Sequence, residues 1–250
     1  MTGTDYEEMA GRYDEGRAFP LDQLEGWRRT VAGLVPTRSA TPLLDIGSGT
    51  GIWSHAFARW FGVRVVGVEP SKGMRAQAAA KRSHPNIAYL GGRADALPLA
   101  GRSCAAAWLS TVIHHFGDLA GAARELRRVL HPGAPVLIRE GFTGRTDGIP
   151  WLCYFPEALA VTEGFWPTVD EVVGAFVPAG FRFERLQPVE QVTARNLREY
   201  ADLVRVRADS TLIRLSDDVF EAGMNRLDEV ASTSSWDEPV TSTLDLLVLR

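Results

Sequence analysis

Two cysteines, four methionines and five histidines are few for 250 residues, and their scarcity excludes several chemistries. Cys104 and Cys153 cannot build a disulfide framework, and neither stands in a C-x-x-C spacing, so a reduced, cytoplasmic chain is the simplest expectation. Cys104 lies in an apolar run and reads as a core thiol. Cys153 lies in an aromatic segment and reads as structural, with thiol reactivity as the alternative. No apolar run approaches the roughly 20 residues of a membrane helix. The start Met1-Thr2-Gly3-Thr4-Asp5 lacks the basic-then-apolar order of a secretion signal. An excess of basic residues is missing too: the formal net charge of -4 argues against a surface built to coat nucleic acid. Neither an internal repeat nor a low-complexity tract is present. What remains, 45% hydrophobic and 23% charged residues, is the composition of a folded globular chain able to bury a sizeable core, expected as one domain over 1–250.

Apolar runs of strand length alternate with amphipathic stretches of helix length. Leu21 to Val35 predicts a helix; strands are expected at 43–46, Val63 to Val68, Ile87 to Leu90, Cys104 to Leu109 and Pro135 to Arg139, with helices between them. That order builds a parallel α/β sheet with helices on both faces. The alternation breaks near residue 140. Gly141 to Pro150 carries three glycines and reads as a flexible connection. Thr168-x-x-Glu171 is a capping box, Phe181 to Val192 predicts a strand, 196–207 and 216–231 predict helices, and Thr243 to Leu249 a final strand.

Leu43-Leu44-Asp45-Ile46-Gly47-Ser48-Gly49-Thr50-Gly51 is the most telling stretch. A strand hands over to a helix through Gly-x-Gly-x-Gly, at the sheet edge where open α/β folds bind ligands. Glycine there permits positive φ and leaves no Cβ in the path of a ligand. Glu69 ends the second strand, where a carboxylate can accept two hydrogen bonds from a ribose diol. Past the third strand, in Arg93-Ala94-Asp95-Ala96-Leu97-Pro98, backbone amides and Asp95 can read an adenine edge. Three such features in order, one per βα unit, point to a nucleoside-containing cofactor. A dinucleotide fingerprint needs a third glycine at position 52, which is Ile52, and no Gly-Lys-Ser/Thr follows to make a P-loop.

These stretches, with Gly67-Val68-Glu69-Pro70-Ser71, Ser110-Thr111-Val112-Ile113-His114-His115-Phe116 and Arg124-Glu125-Leu126-x-Arg128-Val129-Leu130-x-Pro132-Gly133, resemble the class I S-adenosylmethionine-dependent methyltransferases of the small-molecule, type 11 group. The resemblance covers about 40–140 tightly, and more loosely the amino-terminal Tyr13-Asp14-Glu15-Gly16-Arg17. It implies a Rossmann-like, doubly wound, seven-stranded, mostly parallel sheet, with an amino-terminal cap over 1–38 and a capping insertion over 141–180. It implies S-adenosyl-L-methionine as cofactor, with Asp45 in the motif, amides from Gly47 through Ser48 and Gly49 to Gly51 at the methionine part, and Glu69 and Pro70 at the ribose. Met74 would pack on the adenine, Ala94 and Asp95 at its rim, Ser110 beside the sulfonium, and Arg17 near a carboxylate of cofactor or acceptor. One position departs: many relatives carry an acid where this chain has Arg93, which weakens the analogy at Asp95.

Methyl transfer is an in-line displacement that depends chiefly on alignment, and a base is needed only when the nucleophile carries a proton that leaves early. His114 and His115, just past the fourth strand, are the catalytic candidates: one of the pair orients or deprotonates the acceptor, against the alternative that one packs in the core and the other caps a loop. No metal is called for, since adjacent histidines need further ligands. Glu140 points toward the same place. Trp151, Tyr154, Phe155, Phe165 and Trp166 form either a lid over the acceptor or the core of an added segment. The expected partner is a small-molecule acceptor, with no nucleic acid and no membrane. Two other functions stay open: a protein that keeps the cofactor pocket without methyl transfer, as a cyclase or accessory binder, and a nicotinamide-dependent oxidoreductase.

Overall fold

The computed structural model describes residues 10–11, 13–17 and 20–250, the side chain of Arg17 excepted. Its centre is a seven-stranded sheet, built from β1 (Leu43–Ile46), β2 (Val65–Val68), β3 (Ile87–Leu90), β4 (Ala106–Ser110), β5 (Val136–Glu140), β6 (Phe183–Ala194) and β7 (Val240–Leu249). The spatial order is β3-β2-β1-β4-β5-β7-β6. All neighbours pair in parallel except β7, which runs antiparallel to both β5 and β6. The chain starts in the middle, winds outward to β3, then returns to β4 on the other side of β1. The crevice beyond the carboxyl ends of β1 and β4 is therefore the topological switch point, where ligands bind in open α/β sheets.

Why the strands form is visible in their side-chain period of two. In β4, Ala107 and Leu109 enter one apolar layer while Ala106 and Trp108 enter the opposite one. Val136 and Ile138 of β5 join the first layer, and Leu137 the second. The first layer is closed by α5 (Leu119–Val129) and α7 (Val169–Phe176), through Leu126, Val129, Val172 and Phe176. The second is closed by α2 (Glu25–Val31) and α3 (Ile52–Phe61), through Trp27, Val31 and Phe57. Trp27, Trp53 and Trp108 meet there at ring separations of 4.8–6.0 Å.

A third cluster lies against the sheet at Ala194 of β6 and at Val240 and Leu244 of β7. Trp151, Phe155 and Trp166 pack with Tyr200 and Val204 of α8 (Leu197–Arg205) and with Phe220, Met224 and Leu227 of α9 (Asp217–Thr233). Short α6 (Ala158–Glu163) belongs to the same cluster through Ala158. Thr168 caps α7 reciprocally with Glu171, as its spacing predicts. Two expectations need correction. The stretch 141–150 is not a flexible connection: Phe142 is wholly buried, Arg145 makes a bidentate ion pair with Asp245, and Gly148 accepts from the amide of Thr243, so the segment is tied to β7. The last strand begins at Val240 and not Thr243, because it pairs along most of the long β6. Helix α1 (Tyr13–Arg17) and helix α4 (Lys72–Lys81) complete the frame.

Candidate functional site

Beyond β1 the turn takes positive φ at Gly47, Gly49 and Gly51, with values of 64°, 53° and 84°. Gly49 carries nothing within 4 Å of the direction a Cβ would take except its own turn's Gly47 carbonyl, so the turn forms an open main-chain cradle. The Glu69 carboxylate reaches across from the end of β2 and accepts from the amides of Gly49 at 3.0 Å and Ser71 at 2.9 Å. Those two bonds fix its orientation, and it is only 7% exposed. A carboxylate with two oxygens has acceptor capacity beyond two amides, which suits a diol.

Two cavities open here. The first, of about 270 Å³, is lined by Gly47, Gly49, Glu69, Pro70 and Met74, and on its far side by Ala94, Asp95 and Ser110. The second, of about 160 Å³, runs from Ser48 and Thr50 past Trp53 to His114, Arg139 and the aromatic cluster at Trp151 and Trp166. Tyr13, Gly47, Gly49, Ser110 and Thr111 line both. The cavities thus meet across one wall, at the switch point. Thr111 sits in that wall with a φ of 48°, an uncommon conformation for a β-branched residue, and such strain persists where the surroundings over-determine it.

Two residues read as ligand-binding in the sequence are placed elsewhere. Asp45 lines neither cavity; it is 2% exposed and accepts from the Ser54 hydroxyl at 2.6 Å, fastening β1 to the first turn of α3. Burial pushes its carboxyl up to about 7, against the pull of Ser54 and with a further push from the Glu69 charge. Gly51 also lines neither cavity: a Cβ there would fall 2.3 Å from the Tyr89 hydroxyl, and its left-handed conformation starts α3. Ser48 lines the second cavity and not the one that holds Glu69. Asp95 is held by Arg93 in a bidentate pair at 3.0 and 2.9 Å, and this hydrogen bonding lowers its carboxyl. The acid thus answers the chain's own arginine at the rim. The side chain of Arg17 lies outside the described residues.

The adjacent histidines divide between the cavities, His114 facing the second and His115 the first, with ring centroids 4.1 Å apart. His114 Nδ1 stands 3.2 Å from the Glu140 carboxylate, and its Nε2 is 3.2 Å from the Ser210 hydroxyl. Glu140 is 1% exposed and also accepts from the amides of Ile113 and Gly141. The imidazole thus lies on the second cavity with Nε2 at the Ser210 hydroxyl and Nδ1 buried beside Glu140 without a hydrogen bond to it. The Ser210 hydroxyl at Nε2 leaves the imidazole within one hydroxyl of the cavity, a placement that suits proton transfer.

Sequence reasoning missed Arg139, Gln191 and Ser210. Arg139 donates to Ser110 Oγ at 3.1 Å and Gln191 Oε1 at 3.0 Å, with its guanidinium over the rings of Trp27 and Trp53. Its signal was available, since a charge inside the apolar strand Val136-Leu137-Ile138-Arg139 calls for a reason. Ser210 and Gln191 carried none. Of the aromatic segment, Trp151 and Trp166 line the second cavity and also pack in the outer cluster.

Across the bridge of α1, Asp14 accepts from the Thr50 hydroxyl at 2.5 Å and from Arg82 at 2.8 Å, and pairs with Lys81 at 3.3 Å. Burial alone would raise its carboxyl, but Thr50, Arg82 and Lys81 together hold it below the ordinary range.

The methyltransferase domain family matches residues 44–138. The chain is 31% identical over 155 residues to a demethylmenaquinone methyltransferase of Renibacterium salmoninarum, which covers 62% of this chain and 63% of that protein. It is 32% identical over 168 residues to the enzyme of the same name from Chlorobaculum tepidum, covering 64% of this chain and 69% of that one. The chain therefore spans somewhat under two thirds of the first of these relatives. Among solved structures, a protein provisionally named as a methyltransferase from an antibiotic biosynthesis pathway of Anabaena variabilis superposes with a TM-score of 0.74 at 22% identity, over 90% of this chain and 96% of the other.

Proposed function

Because the chain belongs to the class I S-adenosylmethionine-dependent methyltransferases, we propose that it transfers the methyl group of S-adenosylmethionine to a small organic acceptor, releasing S-adenosylhomocysteine. The observation that carries this reading is the Glu69 carboxylate, oriented by Gly49 and Ser71 in a cavity that shares a wall with a second one. The residues fit the cofactor. Glu69 would hold the ribose diol, the open main chain at Gly47 and Gly49 the methionine part, and Met74 and Ala94 the purine. Bound there, S-adenosylmethionine supplies a methyl carbon already activated by its sulfonium.

Ser110 and Thr111, in the common wall, bring the acceptor cavity against that end. Holding two reactants in line can supply roughly 7–11 kcal/mol, so alignment is the main task of these walls. His114, with Nε2 at the Ser210 hydroxyl and Nδ1 close to the Glu140 carboxylate, is placed to take the acceptor's proton, directly or through the serine hydroxyl. Trp151 and Trp166 exclude water and offer flat apolar surface, in keeping with a small ring-bearing acceptor over a macromolecule.

Calorimetric titration with S-adenosylmethionine, S-adenosylhomocysteine and NADH tests the cofactor assignment. Saturable binding of the first two, and none of NADH, is expected; the reverse sinks it in favour of an oxidoreductase. Release of S-adenosylhomocysteine only when an acceptor is added then separates a methyltransferase from a protein that keeps the pocket for another use.

A further inference from the structure

The stretch 210–214, between α8 and α9, borders both cavities. Ser210 and Leu212 line the second one, and Ile213 packs on the small cluster of Met74, which lines the first. Arg214 follows them and lays its guanidinium on the Phe165 ring, Cζ 3.8 Å from the centroid. The same ring meets His114 edge-on at 4.8 Å and His115 at 5.5 Å. One aromatic ring thus separates this cation from the histidines of either cavity.

The charge is unanswered. Arg214 is half-buried, its Nε is enclosed without a hydrogen-bond partner, and among the described residues no carboxylate pairs with it. Arg207, on the same loop, is by contrast met by the carbonyls of Leu212 and Leu215 and by the carboxylate of Asp217. Other described arginines without a carbonyl or carboxylate partner lie exposed, where water serves them. A cation withdrawn from water gains more from an opposite charge than one on the surface does, and a buried N–H left unmet is costly. Stacking occupies one face of the guanidinium and leaves its edge, a planar fork of donors, for a partner of matching shape.

Resting on the methyltransferase reading, we propose that Arg214 anchors a carboxylate carried by the acceptor, at the end remote from the atom that receives the methyl group. Arg214 lines neither cavity, so the group it holds projects from the acceptor cavity past Phe165, while the reacting end stays near Ser110 and Thr111. One guanidinium with a planar fork balances a single negative charge, which favours a carboxylate over a phosphate dianion. The anchor selects among acceptors and sets their direction of entry; it takes no part in the transfer itself.

The probe is benzoate, titrated by calorimetry into the full chain saturated with S-adenosylhomocysteine, so that the place of the cofactor's own carboxylate is filled. Benzamide, its uncharged isostere, and phenyl phosphate are the comparisons. Benzoate is expected to bind saturably, about tenfold or more tighter than benzamide, the gain of a charge-assisted hydrogen bond, and tighter than phenyl phosphate. Arg214→Gln should bring benzoate down to the affinity of benzamide. Arg214→Lys should keep part of the preference, since it holds the charge without the fork. If Arg214→Gln does not fold by circular dichroism, Arg214→Lys decides: an unchanged ratio of the two affinities overturns the proposal. So do equal affinities for benzoate and benzamide in the parent, tighter binding of phenyl phosphate, no saturable binding up to the solubility limit, or a preference that survives Arg214→Gln. Cofactor titration on the same samples keeps the two readings apart. A parent that does not bind S-adenosylhomocysteine counts against the methyltransferase assignment, whereas binding of it without a benzoate preference counts against the Arg214 anchor alone.

Discussion

At Glu69 one side chain both shapes the turn and faces the cavity. Replacing it with glutamine keeps the size but removes the charge, and hydrogen bonds to charged groups are worth about 1.5–3 kcal/mol. Glu69→Gln should therefore weaken S-adenosylmethionine binding about 10- to 100-fold, measured by calorimetry, with the fold intact by circular dichroism. Asp45 behaves differently, because it faces Ser54 in the core. Its carboxyl is raised from 3.8 to about 7 in the folded chain, so between these values the folded form binds the proton that the unfolded form has lost. Stability from this group is complete below the unfolded value and is lost as pH rises toward 7, by at most about 1.4 kcal/mol per pH unit. Asp45→Asn should remove that slope, so that its unfolding free energy gains on the parent's from pH 4 to 7 and then runs parallel.

Elements were legible where one local rule decides them. The β1–turn–α3 unit could be read from Gly-x-Gly-x-Gly because positive φ at three alternate positions leaves little but glycine there, and α7 announced itself by Thr168 and Glu171. The same local reading could not divide the motif between ligand and scaffold: Gly49 borders the cavity, whereas Gly51 yields to the Tyr89 hydroxyl and Asp45 to Ser54. Nor could it assemble Trp27, Arg139 and Gln191, since the contact of Trp27 with Gln191 spans 164 residues and that of Arg139 with Gln191 spans 52. Packing between elements is equally silent in sequence. Gly223 of α9 meets Phe155 so closely that a Cβ would lie 2.1 Å from the ring, and Phe155 stacks on Phe220 at 5.6 Å. Gly223→Ala should cost about 1–3 kcal/mol through overpacking, seen as a lower Tm by scanning calorimetry. Cofactor affinity should hold, because the cavity around Glu69 lies outside that cluster.

Over the whole molecule, α1 ties the amino-terminal part to two others. Tyr13 borders both cavities, while Asp14 fastens the helix to Thr50 and to Lys81 and Arg82 at the end of α4. The Asp14 carboxyl is lowered in the folded state, so its contribution is present above the unfolded value near 3.8 and is lost as pH falls through and below it. Asp14→Asn should weaken cofactor binding several-fold at low salt and leave an affinity that responds less to added salt than the parent's, since exposed parts of such pairs are screened. No helix among the described residues is long and apolar enough to cross a membrane.

The position of β7 has a consequence for biosynthesis. Although it follows every other strand in sequence, it lies between β5 and β6 and pairs with both. While translation proceeds, the nascent sheet exposes the apolar flank of β5 with nothing to zip against it, and such unpaired edges promote clumping. Polypeptides stalled before residue 240 should sediment with chaperones or in pellets, whereas those carried past 249 should be released in protease-resistant form.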